Sequence, residues 1–187
     1  VWDEIRKAFA QSIEAKTQGW TSSYFSYNTG KGRCPECRGL GEITLEMNFL
    51  PDAQALCETC RGRRFAPEAE LVRYLGKSIS EVLQLTFEEA RKLFANHRKL
   101  NRILTQACDL GLGYLTLGHS SVTLSGGECQ RMKLVNELTA GRRGHSLYTL
   151  DEPTTGLHKS DVARLVKALR DLVLQGHSVL VIEHDID

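Results

Sequence analysis

The stretch that decides the fold is residues 146–184, with the sequence SLYTLDEPTTGLHKSDVARLVKALRDLVLQGHSVLVIEH. Two short apolar runs, 146–150 and 178–182, flank residues 159–175, in which apolar side chains recur at helical spacing. A strand, a helix and a second strand, with apolar runs in both strands, are typical of a parallel sheet covered by helices. The stretch therefore predicts an α/β fold with two buried parallel strands.

Acidic groups and a histidine follow these two predicted strands directly. Asp151 and Glu152 come after the first strand, and His184 comes after the second. Because the carboxyl ends of parallel strands meet at one edge of a sheet, we expect all three to face one ligand crevice. Asp151 is placed to hold Mg²⁺ through water, Glu152 to polarise an attacking water, and His184 to orient a γ-phosphate. The alternatives are an acidic turn and a structural histidine.

A glycine-rich segment, LSGGE at residues 124–128, opens a helix predicted at 127–138. Glycines let backbone N–H groups approach a phosphate, Ser125 can cap the helix, and the helix dipole favours negative charge. The segment alone is a weak signal, and Gln130 and Arg131 after it make it stronger. We expect nucleotide contacts from four residues: Ser125, Gly126, Gly127 and Glu128.

The sequence contains no Gly-x-x-x-x-Gly-Lys-Ser/Thr loop, which usually cradles the β- and γ-phosphates of ATP. The segment GKS at 76–78 has Leu71 where the loop needs its first glycine, and the segment GK at 30–31 has Phe25 there. We therefore interpret the chain as a fragment of a longer protein. We expect it to hydrolyse ATP negligibly when it is isolated.

A cysteine module predicts a metal site. Its four cysteines form two CxxC pairs: Cys34 with Cys37, and Cys57 with Cys60. Two tight turns joined by a hairpin, with a ribbon strand predicted at Ile43–Phe49, would bring four thiolates into a tetrahedral structural zinc site. Disulfides or redox-active dithiols are the alternatives, and the lack of a secretory signal disfavours them. Cys108 and Cys129 have no partner at ligand spacing and are predicted to be buried small hydrophobes.

Cations and aromatic side chains surround the cysteine module. The cations are Lys31, Arg33, Arg38, Arg61, Arg63 and Arg64. The aromatic side chains are Trp20, Tyr24, Phe25 and Tyr27. This combination suits contact with nucleic-acid phosphates and packing on bases or sugars. The alternative is a solvated rim that offsets the negative charge of a zinc–thiolate centre.

The remaining patterns complete the predicted organisation. Residues 1–15 have the spacing of an amphipathic helix, and residues 67–110 are predicted to be mostly helical, with a capping box at Thr86 and Glu89. The net charge of +1 identifies no partner. No apolar run approaches the roughly 18 residues that span a bilayer, so we expect a cytoplasmic protein without a membrane partner. We predict four parts: 1–33, a helix and polar linker; 34–66, the zinc module; 67–124, a helical subdomain; and 125–187, the sheet-containing part.

These motifs resemble those of ATP-binding-cassette ATPases. The resemblance covers the signature at 124–128, the Walker B strand at 146–152, a D-loop region at 155–158 and the switch residue His184. Further segments look like the C-terminal half of the UvrA family, the damage-sensing ATPases of bacterial nucleotide excision repair. They are FSYN at 25–28, GRC at 32–34, EMNFLPD at 46–52, GLGY at 111–114 and DEPTTGLH at 151–158.

The resemblance implies a dimer with two cassettes per chain, zinc as a structural metal, and ATP with Mg²⁺ as cofactors of the full-length protein. It implies that the six cations around the cysteine module contact double-stranded DNA. It also implies a UvrB-like helicase as a partner, which docks on the N-terminal half of such proteins. Residues 125–128 would close on ATP held by the other cassette, whereas Asp151, Glu152 and His184 would serve ATP on this cassette.

Three positions depart from the family pattern. Cys129 replaces an alanine, Thr149 an apolar residue, and Asp185 the asparagine that usually follows the switch histidine. These differences keep a second hypothesis open, a UvrA-like paralogue in drug tolerance or resistance without a role in excision repair. A transporter cassette is disfavoured because transporters lack a four-cysteine insertion.

Overall fold

The computed structural model describes residues 1–45, 47, 53–140 and 144–184, and the chain divides into two compact units, Val1–Gln84 and Leu85–Asp187. The four-part division given above remains a prediction. The described elements of the first unit are α1 (Trp2–Ala10), α2 (Ile13–Thr17), β1 (Glu42–Leu45), β2 (Ala53–Leu56), α3 (Pro67–Leu71) and α4 (Ile79–Gln84). Those of the second are α5 (Phe87–Leu93), α6 (Arg98–Asp109), a 3₁₀ turn (Ser121–Thr123), α7 (Gly126–Ala140), β3 (Leu147–Asp151), α8 (Lys159–Leu174) and β4 (Ser178–Ile182).

The helix predicted over residues 1–15 is wrong in its length. The chain leaves the helix after Ala10 and starts a new one at Ile13, because Ser12 adopts an extended conformation and its Oγ accepts a hydrogen bond from the Ala15 N–H at 3.1 Å. Ile5 and Phe9 are buried as the helical spacing predicts, but Ile13 is 81% exposed. A local cap therefore overrides the apolar periodicity at this point.

Antiparallel strands β1 and β2 form the hairpin that joins the two cysteine pairs. Glu42 faces Leu56 and Leu45 faces Ala53, and Ile43 packs against the cysteine cluster. The predicted ribbon strand Ile43–Phe49 is confirmed up to Leu45. Its remainder, and most of the EMNFLPD motif, lie outside the described residues, as does Asp185.

The helical region is confirmed by α3 to α6. Thr86 and Glu89 form the predicted capping box: Thr86 Oγ1 accepts from the Glu89 N–H at 3.2 Å, and Glu89 Oε2 accepts from the Thr86 N–H at 2.9 Å. Helix α5 packs on α6, which in turn packs on α7 and α8. Leu100, Leu104 and Ala107 of α6 are buried in that packing. Among the described helices, none is long and apolar enough to cross a membrane.

Strands β3 and β4 pair in parallel, with α8 as the connection between them, which confirms the predicted strand–helix–strand unit. Tyr148 faces Val179, and Asp151 faces Ile182. The prediction that both strands are buried is wrong, because four of the five side chains of β4 are exposed and Leu150 is the buried one in β3. Most of the apolar side chains of β4 are therefore not covered by the described part of this chain.

Candidate functional site

The four cysteines of the two CxxC pairs lie together and are all buried. Their sulfur atoms lie within 4.8 Å of one another, with Cys34 Sγ to Cys57 Sγ at 3.9 Å and Cys37 Sγ to Cys60 Sγ at 3.6 Å. Tetrahedral zinc with Zn–S bonds of about 2.3 Å separates its ligands by about 3.8 Å. The cluster therefore fits one zinc ion bound by four cysteines.

Backbone hydrogen bonds hold the two turns of the cluster against each other. The Cys34 N–H donates to the Arg64 carbonyl at 2.9 Å, and the Cys57 N–H donates to the Gly41 carbonyl at 3.0 Å. The Gly41 N–H in turn donates to Cys37 Sγ at 3.2 Å. Each cysteine pair is thus hydrogen-bonded to a backbone carbonyl that lies beside the other pair. This mutual support favours a structural metal site.

The surroundings of Cys34, Cys57 and Cys60 shift the pKa values of their thiols in different directions. Hydrogen bonds from the backbone, chiefly that of Cys60, lower the pKa of Cys57 to about 7. Burial raises the pKa of Cys60 to about 12 and also raises that of Cys34. A bound divalent cation would offset the cost of four buried thiolates. The other two cysteines, Cys108 and Cys129, were predicted to be buried and are only half-buried.

The six cations around the cluster divide into two groups. Arg33 and Arg64 are half-buried and have partners: the Arg33 guanidinium donates to the Asn28 carbonyl, and the Arg64 Cζ lies 5.4 Å from the ring centroid of Tyr27. The other four are exposed and form no side-chain hydrogen bond or ion pair within the described part of the chain. They are Lys31, Arg38, Arg61 and Arg63.

The aromatic side chains near the cluster are engaged with one another. Phe25 is fully buried, and Trp20 and Tyr24 stack on each other with ring centroids 4.1 Å apart. Tyr27 makes edge contacts with Trp2 and Phe65. These contacts leave Trp20, Tyr24 and Tyr27 half-buried, so the exposed cations are the more accessible groups for a phosphate backbone.

At the carboxyl edge of the parallel strands, Glu152 and His184 meet. His184 Nε2 lies 3.6 Å from Glu152 Oε1, and both side chains are exposed. The backbone of Glu152 is left-handed, with φ of 46°, and its N–H donates to the Ile182 carbonyl at 2.8 Å. The Asp151 N–H donates to Gln130 Oε1 at 3.3 Å. This juxtaposition is the one expected from the strand order, while the catalytic roles remain predictions.

Glu183 has a structural role that the sequence analysis did not assign. Its Oε1 accepts from the Thr154 N–H at 2.8 Å and from the Thr154 hydroxyl at 2.6 Å. These bonds tie the end of β4 to the loop that follows Glu152. The signal in the sequence is only the position of a carboxylate beside His184, which does not reveal a partner 29 residues earlier in the chain.

Ser125 and Glu128 cap the start of α7 reciprocally. The Ser125 N–H donates to Glu128 Oε2 at 2.7 Å, and the Glu128 N–H donates to Ser125 Oγ at 3.3 Å. The Tyr114 hydroxyl donates to Glu128 Oε1. A Cβ built at Gly126 meets nothing within 4 Å, whereas one at Gly127 would lie 3.1 Å from the Arg131 guanidinium. Contacts within the chain thus explain the glycine at 127 but not the glycine at 126.

Arg131 is the most consequential residue that the sequence analysis left without a role. It is 1% exposed, and its Nη1 donates to the Pro153 carbonyl at 2.8 Å and to the Thr155 carbonyl at 3.3 Å. Burial lowers its pKa, and Glu128 and Tyr114 oppose that effect. Arg131 therefore joins the helix opened by LSGGE to the loop that follows Glu152.

The Tyr114–Glu128 contact gives a testable pH dependence. The Tyr114 hydroxyl, followed by the Ser125 backbone N–H, lowers the pKa of Glu128 below its ordinary value. The stability that this carboxylate contributes is present above the pKa of an unfolded glutamate, about 4.3, and is lost as the pH falls through the lowered folded-state pKa. In Tyr114→Phe we expect the Glu128 pKa, followed by carboxyl NMR, to rise towards its ordinary value. An unchanged pKa would assign the shift to the helix cap.

The fold and the site define a mixed α/β segment that combines a four-cysteine metal cluster with a parallel-strand unit carrying acidic groups at its carboxyl edge. Over all 187 residues the chain is 52% identical to UvrABC system protein A of Bacillus subtilis, 50% to that of Staphylococcus aureus and 51% to that of Streptococcus pyogenes. It is also similar to the crystal structure of UvrA2 from Deinococcus radiodurans, with a TM-score of 0.88 and 44% identity over 98% of this chain and 23% of that one. A scan against protein-family models found no match.

These similarities confirm the resemblance inferred from the motifs: the chain belongs to the UvrA family. It spans about a fifth of the length of the curated relatives that it matches, 20% of each of the three named above.

Proposed function

We propose that the chain is part of a cytoplasmic, DNA-damage-recognising ATPase of nucleotide excision repair, in which it contacts double-stranded DNA through the cysteine module. One observation carries this proposal: over all 187 residues, the chain is 50–52% identical to proteins named UvrABC system protein A. The exposed cations around the four-cysteine cluster support it, because they have no ion-pair partner within the described residues and so offer positive charge to a phosphate backbone.

We further propose that the nucleotide-binding residues serve two composite ATP sites of a homodimeric full-length protein. Asp151, Glu152 and His184, at the strand edge, would act on Mg²⁺-ATP held by this cassette. Residues 125–128 would close on ATP held by the other cassette. The open space over Gly126 supports this second role, since an incoming phosphate can approach the backbone there. Neither set includes a phosphate loop, so the isolated chain is proposed to have negligible ATPase activity.

The partners proposed for the full-length protein are DNA and a UvrB-like helicase that docks outside this chain. The hypothesis of a paralogue in drug tolerance has no observation that favours it over the repair function. The similarity to UvrA2 covers the same residues of this chain as the similarity to UvrABC system protein A, and it therefore does not favour the paralogue.

The DNA-binding function is tested with the zinc-loaded chain and a fluorescein-labelled duplex, plain or carrying one bulky lesion, by anisotropy. We expect binding at 50 mM salt that weakens steeply towards 200 mM, with a log–log slope of about −0.9 for each phosphate contacted. A quadruple variant, in which Lys31, Arg38, Arg61 and Arg63 are all changed to Gln, is expected to lose most of this slope. Wild-type protein that binds neither duplex at 50 mM salt would contradict the function proposed for the module.

A further inference from the structure

The Glu152 carboxylate is contacted through both of its oxygen atoms. Its Oε2 accepts a hydrogen bond from the Thr155 hydroxyl at 3.3 Å, and its Oε1 lies 3.6 Å from His184 Nε2. The backbone also connects Thr155 to Glu152, because the Thr155 N–H donates to the Glu152 carbonyl at 3.1 Å. Thr155 therefore contacts the carboxylate that is proposed to polarise an attacking water.

A buried arginine fixes the backbone of Thr155. The Thr155 carbonyl accepts from Arg131 Nη1 at 3.3 Å, and the same Nη1 donates to the Pro153 carbonyl at 2.8 Å. Arg131 is 1% exposed and belongs to α7, so it ties the loop to an adjacent helix. A Cβ built at Gly127 would lie 3.3 Å from the Thr155 carbonyl oxygen, so the start of α7 packs closely on the loop. The Thr155 hydroxyl therefore extends from a well-supported backbone.

Glu152 needs such support because its own side chain is open to solvent. The side chain is 50% exposed, and the rotamers of an exposed glutamate differ little in energy. A step that requires one orientation of the carboxylate is faster when that orientation is fixed before the reaction. A hydrogen bond from the Thr155 hydroxyl restricts the carboxylate in this way.

Resting on the ATPase function proposed above, we propose that Thr155 is a positioning residue for Glu152. Its hydroxyl holds Oε2, so that Oε1 is presented in a fixed orientation beside His184 at the carboxyl edge of the strands. Thr155 transfers no proton itself and acts only through Glu152. The preceding residue has a different partner, because the Thr154 hydroxyl donates to Glu183 Oε1 at 2.6 Å. Two consecutive threonines thus bind two different carboxylates.

The variant Thr155→Val, made in the full-length protein to which this chain belongs, removes the hydroxyl and keeps the shape of the side chain. We expect the single-turnover rate of ATP hydrolysis to fall roughly tenfold, because one hydrogen bond to a charged group is lost. The KM for Mg²⁺-ATP should stay unchanged, since Thr155 acts on the orientation of Glu152 and not on binding. Thr155→Ser restores a hydroxyl and should recover most of the rate.

Thr154→Val is the matched control, because it removes the neighbouring hydroxyl that binds Glu183, and it should change the rate less. The melting temperature is measured for every variant, and Thr155→Ala replaces Thr155→Val if the valine lowers it. Equal losses of rate in Thr154→Val and Thr155→Val would assign the effect to the structure of the loop and overturn the proposal.

Two further results would also overturn the positioning role while leaving the ATPase function intact. One is a Thr155→Val protein that hydrolyses ATP at the wild-type rate. The other is a Thr155→Ser protein as slow as Thr155→Val, because the hydroxyl would then not be the group that matters. Wild-type full-length protein without ATPase activity would instead contradict the underlying function.

Discussion

Replacing Cys57 by serine is expected to abolish zinc binding and to unfold the hairpin of the first unit. The Cys57 side chain is fully buried, and its sulfur is one of the four that form the cluster among the described residues. Strands β1 and β2 have four residues each, and an isolated two-stranded hairpin is marginal in water. Structural zinc contributes roughly 10–16 kcal/mol to the folding of small metal-dependent modules, so its loss cannot be offset locally.

The measurement is zinc released per chain, together with proteolysis between residues 34 and 66. The wild-type chain should release one zinc, and Cys57→Ser should release close to none and be cleaved within the module. Trp2 and Trp20, the two tryptophans of the chain, both lie in the first unit, so their fluorescence reports on it. Cys108→Ser in the second unit is the matched control and should keep its zinc. One tightly bound zinc in Cys57→Ser would refute the four-cysteine site.

Replacing Arg131 by methionine is expected to destabilise the second unit by about 2–4 kcal/mol, because a buried hydrogen-bonded partner is removed. Methionine fills much of the space but cannot donate to the Pro153 and Thr155 carbonyls, which the wild-type guanidinium binds. Because Arg131 belongs to α7 and binds carbonyls of the loop that follows Glu152, the helix and that loop should loosen together. A single residue would thus weaken two segments that are distant in sequence.

Hydrogen exchange followed by mass spectrometry measures this effect directly. Arg131→Met should speed exchange in α7 and in residues 153–157, whereas Lys133→Met, at an exposed position of the same helix, should leave both segments unchanged. Arg131→Lys should be intermediate, because the ammonium keeps a charged donor but lacks the planar shape of the guanidinium group. Equal protection in Arg131→Met and the wild type would show that this arginine does not couple the helix to the loop.

Much of the site was predictable because its signals are local. The spacing of Cys34, Cys37, Cys57 and Cys60 predicts a cluster without knowledge of the fold, since two tight turns must meet for a metal to be bound. The capping box formed by Thr86 and Glu89 was likewise predictable, because the two residues are three positions apart in the sequence. The meeting of Glu152 and His184 follows from strand order alone.

Other features depend on partners that are remote in the chain, and local patterns do not reveal them. The sequence shows six cations around the cysteines, but only the structure separates Arg33 and Arg64, which have intramolecular contacts, from those that face solvent. Apolar runs predicted buried strands, yet burial depends on what packs over a strand, and the described residues leave most of β4 uncovered.

By itself, the sequence determined the cysteine cluster, the strand–helix–strand unit and the order of the motifs along the chain, because each depends on short-range spacing. Only the tertiary structure decided that Arg131 connects the LSGGE helix to the loop after Glu152, and that Arg38, Arg61 and Arg64, beside the cysteine cluster, have left-handed backbones. The physical reason is that hydrogen bonds to distant carbonyls, and the backbone angles imposed by a closed cluster, arise only when the chain is folded.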